Sequence, residues 1–213
     1  MKFDILTIFP DIIYHYSSES ILKRAQKAGL IKISAHDFRA FTKDKHRRVD
    51  DSPYGGGAGM VLQVQPIYDC LKKMGVKKKT KGQKIIILDP AGKKFDQHMA
   101  EKFSKLDRLV LICGRYEGFD ERIYKFVDEK VSVGDYVLSG GELPALTIVE
   151  SVSRLLPGVL GNEDSIKEET HNKNFKTEYP QYTRPENFMS LKVPRVLLSG
   201  DHKKIAEWRQ KKS

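Results

Sequence analysis

Five stretches of this chain combine residue types that can do chemistry. Residues 43–60 read KDKHRRVDDSPYGGGAGM, with Gly55, Gly56, Gly57 and Gly59 lying beside Lys43, Lys45, Arg47 and Arg48. Glycine permits positive φ and lets backbone N–H groups approach an anion closely. The stretch lacks the Lys-Ser/Thr of a phosphate-binding P-loop. It also follows a basic loop rather than a strand, so it fails the dinucleotide fingerprint. It is either an anion-facing loop or a structural turn. Residues 113–122, CGRYEGFDER, put a glycine directly after a buried strand, where ligands of open α/β sheets bind, although any strand-to-helix turn can look like this. Residues 133–144, VGDYVLSGGELP, form a small-residue loop that can pass closely against another segment or a ligand. Arg154 follows Glu150 by four residues, the spacing of an ordinary helix-surface ion pair. A chemical role for its guanidinium needs more than spacing. Glu168 and Glu169 are adjacent acids in a polar stretch. They are either solvated or a general base that a bound substrate orders.

These stretches need a scaffold. The patterning predicts strands over residues 2–8, 31–35, 84–88, 108–113 and 127–133, and helices over 19–28, 66–74, 120–126 and 142–156. Asp96 caps a further helix to about residue 105. Pro144 suits the first turn of the helix at 142–156, read as amphipathic, and Pro157 stops it. Residues 42–59 read as one long loop, and VKKKTKGQK (76–84) as an exposed basic turn. Strands alternating with helices imply a parallel sheet covered on both faces. After Gly161 the chain turns almost wholly polar, NEDSIKEETHNKNFKT, as a linker does. The remainder is short and basic, with a helix expected over 201–211 and seven Lys or Arg against two acids from Lys192 to Lys212.

At 213 residues, 39% apolar and 31% charged, the composition is that of a soluble globular protein. No run approaches the roughly 18–20 apolar residues of a bilayer span. The N-terminal apolar run is broken by Asp4 and ends at Pro10, unlike a secretory signal, so a cytoplasmic location without membrane association is expected. Cys70 and Cys113 form neither a disulfide framework nor a metal-site pattern. The net charge of +10 favours a polyanionic partner.

In this order RRVDDSPYGGGAGM, ICGRYEGFDERI, SVGDYVLSGGELPAL, SRLLPGVLGNEDS, YTRPENF and VPRVLLSGDH resemble the bacterial tRNA (guanine-N1)-methyltransferases of the TrmD type, and the resemblance spans residues 3–208. It implies an α/β fold of the SPOUT class: a parallel sheet with helices on both faces, a deep trefoil knot, and a small, mostly helical C-terminal domain. The pattern alone leads to an unknotted doubly wound sheet. The implied division is 1–160 for the knotted S-adenosylmethionine-binding domain, 161–177 for a flexible linker, and 178–213 for a short basic tRNA-binding domain. The resemblance further implies a homodimer with its active site at the subunit interface. Its reaction would be methyl transfer from S-adenosylmethionine to N1 of guanine 37 of tRNA.

Carried over by motif, cofactor contacts fall on Leu88 and Pro90, on Gly114, Tyr116 and Glu117, and on Val133, Gly134, Asp135, Tyr136, Val137, Leu138, Gly140, Gly141 and Pro144. Glu169 takes the position of the general base, where the family has Asp; Glu168 is the neighbouring alternative. Arg154 takes the position that stabilises guanine O6. A divalent cation, magnesium, is implied as well, although the sequence shows no dedicated metal site. Two departures stand out. Pro180–Gln181 replaces the Pro-His that usually precedes YTRP, and the chain stops at WRQKKS, where relatives continue for roughly two or three dozen residues, room for one to three helices. The competing readings are a weakly catalytic tRNA-binding protein that keeps the fold, and a related knotted methyltransferase with another RNA target. A nicotinamide-dependent dehydrogenase is disfavoured, since no glycine fingerprint follows the first strand.

Overall fold

The structure is a computed structural model and describes residues 1–161 and 178–213. The chain divides after Gly161 into two units. In the first, five parallel strands form one sheet in the order β2-β1-β6-β5-β7: β1 (Lys2–Thr7), β2 (Lys32–Asp37), β5 (Gln83–Lys94), β6 (Arg108–Ile112) and β7 (Glu129–Ser132). A two-stranded ribbon, β3 (Asp50–Asp51) with β4 (Val61–Leu62), flanks it.

The apolar runs at 85–88 and 109–113 form central strands because both sheet faces are covered. Side chains alternate across a strand. Ile86, Leu88, Leu109 and Leu111 therefore join one core, with α1 (Pro10–Ser17), α2 (Ser20–Lys27), α4 (Gln97–Phe103) and α5 (Glu142–Ser153). Ile85, Ile87, Val110 and Ile112 join the other core, with α3 (Val64–Lys73) and the 3-10 turns Phe38–Phe41 and Glu121–Lys125. Asp96 accepts from the Met99 N–H at 2.7 Å, capping α4 as its sequence position predicts.

The structure corrects several sequence expectations. An unpredicted helix, α1, opens on Pro10, whose fixed φ suits a first turn. Strand β5 continues to Lys94, six residues past the predicted end, and pairs with β7 across a register shift between Leu88 and Lys93. The expected loop at 42–59 contains β3. Helix α5 is buried on most sides rather than amphipathic and ends at Ser153, not 156.

One charged group lies deep in the sheet. Asp4 on β1 is fully buried; Arg108 Nε donates to it at 2.7 Å, His36 Nε2 lies 2.6 Å away and Lys2 Nζ 3.5 Å away. Burial raises its pKa, but hydrogen bonds with His36 and Arg108 more than offset this and hold the carboxyl below its usual value.

The second unit carries the hairpin β8 (Asn187–Phe188) and β9 (Leu191–Lys192), the short helix α6 (Arg195–Leu198) and the basic helix α7 (His202–Lys212), capped by Asp201. The sequence predicts only the last of these. No helix among the described residues is long and apolar enough to cross a membrane.

Candidate functional site

Strands β5, β6 and β7 are parallel, so the register break of β5 after Leu88 and the segments at the carboxyl ends of β6 and β7 meet at one edge of the sheet. A cavity of about 490 Å³ lies there, within the range of small-molecule sites. Its walls are residues 88–90, 114–119 with Glu121 and Tyr124, and 130–133 with 136–141 and Pro144.

Small residues let these loops close on one another. The Gly141 N–H donates to the Gly114 carbonyl at 3.0 Å. A Cβ at Gly141 would lie 2.7 Å from Cys113 Cα and 2.9 Å from the Gly114 nitrogen, both backbone atoms. A Cβ at Gly114 would lie 2.7 Å from the Phe119 ring. The glycine-rich loop joins the same wall. Leu62 N–H donates to the Gly118 carbonyl at 2.9 Å, Glu117 N–H to the Met60 carbonyl at 3.0 Å, and a Cβ at Gly59 would lie 2.5 Å from Glu117 Cγ.

Twelve of the fourteen residues expected to hold a cofactor line the cavity: Leu88, Pro90, Gly114, Tyr116, Glu117, Val133, Tyr136, Val137, Leu138, Gly140, Gly141 and Pro144. Gly134 and Asp135 do not. Asp135 instead pairs with Lys94, on an exposed side chain. A Cβ at Gly134 would collide with the Tyr136 ring, so this glycine leaves room for that ring.

The lining also contains residues the sequence reading missed. Arg115 reaches from the β6 loop to the loop before α5. Its Nη2 lies 2.9 Å from Glu142 Oε2, its Nη1 donates to the Ser139 carbonyl at 3.3 Å, and its guanidinium lies 4.6 Å over the Phe9 ring. Glu142 is buried, and its Oε1 accepts from Thr7 Oγ1 at 2.6 Å. Arg115 Nε is buried without a hydrogen-bond partner, and Glu142 Oε2 is held by the ion pair with Nη2 alone. Asp89 accepts from the Ala91 N–H at 2.8 Å and from Tyr124 OH at 2.5 Å, while Lys130 Nζ stands 3.7 Å over the Tyr124 ring. Burial and the Asp89 hydrogen bond push the Tyr124 phenol well above its usual pKa, so it stays a donor. Arg115 sat inside a motif already singled out and Asp89 lies between Leu88 and Pro90; for Tyr124 and Lys130 the sequence held no signal.

Arg154 is half-buried at the C-cap of α5 and is not among the lining residues. At 1.5 Å per helical residue it stands about 15 Å along the helix from Pro144. The carboxylate of Glu150 accepts from Tyr16 OH. Glu168 and Glu169 lie outside the described residues. Among the described residues no three His, Cys, Asp or Glu side chains gather as metal ligands do.

The whole chain, residues 1–213, matches the family described as tRNA (Guanine-1)-methyltransferase TrmD. It is 53% identical over 214 residues to the tRNA (guanine-N(1)-)-methyltransferase of Geobacillus kaustophilus (strain HTA426), covering 100% of this chain and 86% of that one. It is 50% identical over 214 residues to the protein of the same description from Clostridioides difficile (strain 630), covering 100% and 92%. The counterpart from Dictyoglomus turgidum is 48% identical over 213 residues, covering 100% and 85%.

Proposed function

This chain belongs to the tRNA (guanine-N1)-methyltransferase family, and on that premise we propose that it methylates N1 of guanine 37 in tRNA, using S-adenosylmethionine, as a cytoplasmic homodimer. The observation that carries the reading is the convergence of the β5 register break with the segments after β6 and β7, closed by Gly114 and Gly141, on a cavity of cofactor size.

The residues present fit this donor. Glycines hold side chains out of the cradle, and Arg115 Nε is a buried donor without a hydrogen-bond partner. Asp89, Glu117 and Glu121 against Arg115 and Lys130 leave the lining with one more acid than base, which suits a cationic sulfonium. When bound, S-adenosylmethionine supplies an electrophilic methyl group on a sulfonium. We also infer that the close passage of residues 140–141 against 113–114 belongs to a trefoil knot of the SPOUT type. Magnesium rests on the family resemblance alone.

Neutral guanine carries a proton on N1 and is a poor nucleophile. Glu169 accepts that proton, with Glu168 as the neighbouring alternative. Negative charge then grows on O6, and the Arg154 guanidinium stabilises it. In the homodimer of this reading, Arg154 serves the cavity of the second subunit. Val137, Leu138 and Leu143 are exposed apolar side chains around the cavity, and a dimer would cover them. Residues 161–177 act as the linker that brings the base to the substrate, and 178–213 as a basic tRNA-binding unit.

The test is tRNA incubated with the protein and labelled S-adenosylmethionine, digested and mapped by mass spectrometry. The expected product is 1-methylguanine at position 37, lost when that base is adenine and dependent on guanine at 36. Label at another site, or none with competent tRNA, overturns the reading.

A further inference from the structure

The basic turn between α3 and β5 has no part in the chemistry above. Residues 72–84 contain seven lysines and no acid. Lys72, Lys73, Lys77, Lys78, Lys79 and Lys81 are all exposed. Two of them have a local explanation: Lys72 and Lys73 sit in the last turn of α3, where cations favour the helix dipole. Lys77, Lys78, Lys79 and Lys81 lie beyond the helix and have none.

The turn is built rather than loose. Thr80 Oγ1 and Gln83 Nε2 both donate to the Lys77 carbonyl at 2.8 Å. Lys79 has φ +61°, a left-handed conformation uncommon outside glycine. Asp128 fixes it: one carboxylate oxygen accepts the Lys79 N–H and the other the Ile85 N–H, both at 2.8 Å. That carboxylate is thus occupied by backbone donors. The other acid at this turn is Asp107, whose Oδ2 lies against Gly82. Lys78 Nζ reaches the Tyr124 carbonyl at 3.5 Å, and no carboxylate pairs with Lys77, Lys78, Lys79 or Lys81 among the described residues.

The same end of the sheet carries further basic residues, of which Lys2 and Arg108 pair with Asp4. Lys2 is in register with Lys32 on one side and with Arg108 on the other, and Gln83 is in register with Arg108. These residues open their strands, so they mark the amino edge, whereas the cavity lies at the carboxyl edge. From Gln83 to Leu88, five residues at about 3.3 Å each separate the two edges by about 17 Å.

We propose that the turn at 77–81 is a second RNA-binding surface, gripping the phosphate backbone of the substrate tRNA at a distance from the methylated base. This rests on the reading of the chain as a tRNA methyltransferase. Four exposed lysines on a turn whose backbone is fixed, none of them paired with a carboxylate among the described residues, fit closely spaced phosphates and read no sequence. The turn opens β5 at the edge away from Leu88, with only Lys78 reaching toward the cavity wall through the Tyr124 carbonyl, so the phosphates it meets are those of tRNA outside the loop that enters the cavity.

The test compares the full-length protein with a variant carrying Lys77→Gln, Lys78→Gln, Lys79→Gln and Lys81→Gln. Full-length tRNA and an anticodon loop closed by a few base pairs are titrated from 50 to 200 mM salt, and methyl transfer is followed in parallel. Each phosphate contact weakens binding about threefold over that range. If two or three contacts are lost, wild-type affinity for full-length tRNA falls about 10- to 30-fold more across the range than that of the variant. KM for tRNA should rise in the variant with kcat unchanged, and the short loop substrate should not distinguish the two proteins. An equal salt response and equal KM would overturn the proposal, as would an equal loss on the short loop. Failure of the parent reading is separable, because the wild type would then not methylate guanine 37 at all. A melting temperature matching the wild type, or rescue by Lys→Arg at the four positions, excludes damage to the fold.

Discussion

Replacing Gly141 by alanine isolates the close passage of chain on which the cavity depends. Gly141 has φ −84°, a value any residue adopts, so the exchange carries no backbone strain. Alanine even gains about 0.4–1 kcal/mol from the stiffer unfolded chain. Against this stands the added methyl, 2.7 Å from Cys113 Cα and 2.9 Å from the Gly114 nitrogen. Both are backbone atoms, anchored in turn by the Gly141–Gly114 hydrogen bond, so neither swings aside as a side-chain tip would. Overpacking of this kind costs about 1–3 kcal/mol and outweighs the entropic gain. A net loss of about 1–2 kcal/mol lowers Tm by about 2–8 °C. Because the displaced segments form the cavity wall, cofactor affinity should fall about tenfold, equivalent to about 1.4 kcal/mol. Differential scanning fluorimetry and calorimetric titration with S-adenosylhomocysteine measure the two effects. Gly161→Ala is the control: nothing lies within 4 Å of its added Cβ, and its φ is outside the left-handed range. If Gly141→Ala matches Gly161→Ala in Tm and in affinity, the glycine is not there for close approach and the reasoning fails.

Arg154→Ala and Glu169→Gln should each slow methyl transfer about 100-fold or more in single-turnover assays, with S-adenosylmethionine affinity within about twofold of wild type; near-normal turnover of Glu169→Gln removes that residue as the base. Asp4 has a depressed pKa in the folded state, so the unfolded chain binds more protons as the pH falls below about 4. Its stabilising contribution is complete above that pH and is lost as the pH drops through the folded value. The urea midpoint of the wild type should therefore fall more between pH 7 and pH 3 than that of Asp4→Asn, and equal falls would refute the assignment. Burial pushes the Cys70 thiol up to about 12 and raises that of Cys113 as well. Both should resist iodoacetamide at pH 8 in the native protein and react in 6 M guanidinium, read by intact mass; rapid native labelling of either would contradict its burial.

The central strands were legible because a strand buried on both faces announces itself as a continuous apolar run, as at Ile85–Leu88 and Leu109–Ile112. Helix α1 was not, since it buries only Ile13 and Ser17 and shows solvent its Tyr14 and Tyr16. The polar end of β5 could not be read locally, because DPAGKK becomes strand only through pairing with β7. Most of the cavity residues came from the order of familiar motifs, not from any one of them. Arg115 and Glu142 show why the rest stayed hidden: their pairing depends on two loops meeting beside Thr7, and Glu142 alone reads as an ordinary first-turn acid of a helix.

The position of β1 within the sheet bears on how the protein is made. Its two neighbours are β2, which follows within thirty or so residues, and β6, which begins at Arg108. A ribosome adds about 5–20 residues per second, so about 5–20 s pass between synthesis of β1 and of its second neighbour. During that interval Asp4 lacks the arginine that neutralises it, and one edge of the first strand stands open. The nascent chain must stay unaggregated with an unpaired edge until β6 emerges, which makes shielding by a chaperone most valuable before residue 112 has left the exit tunnel.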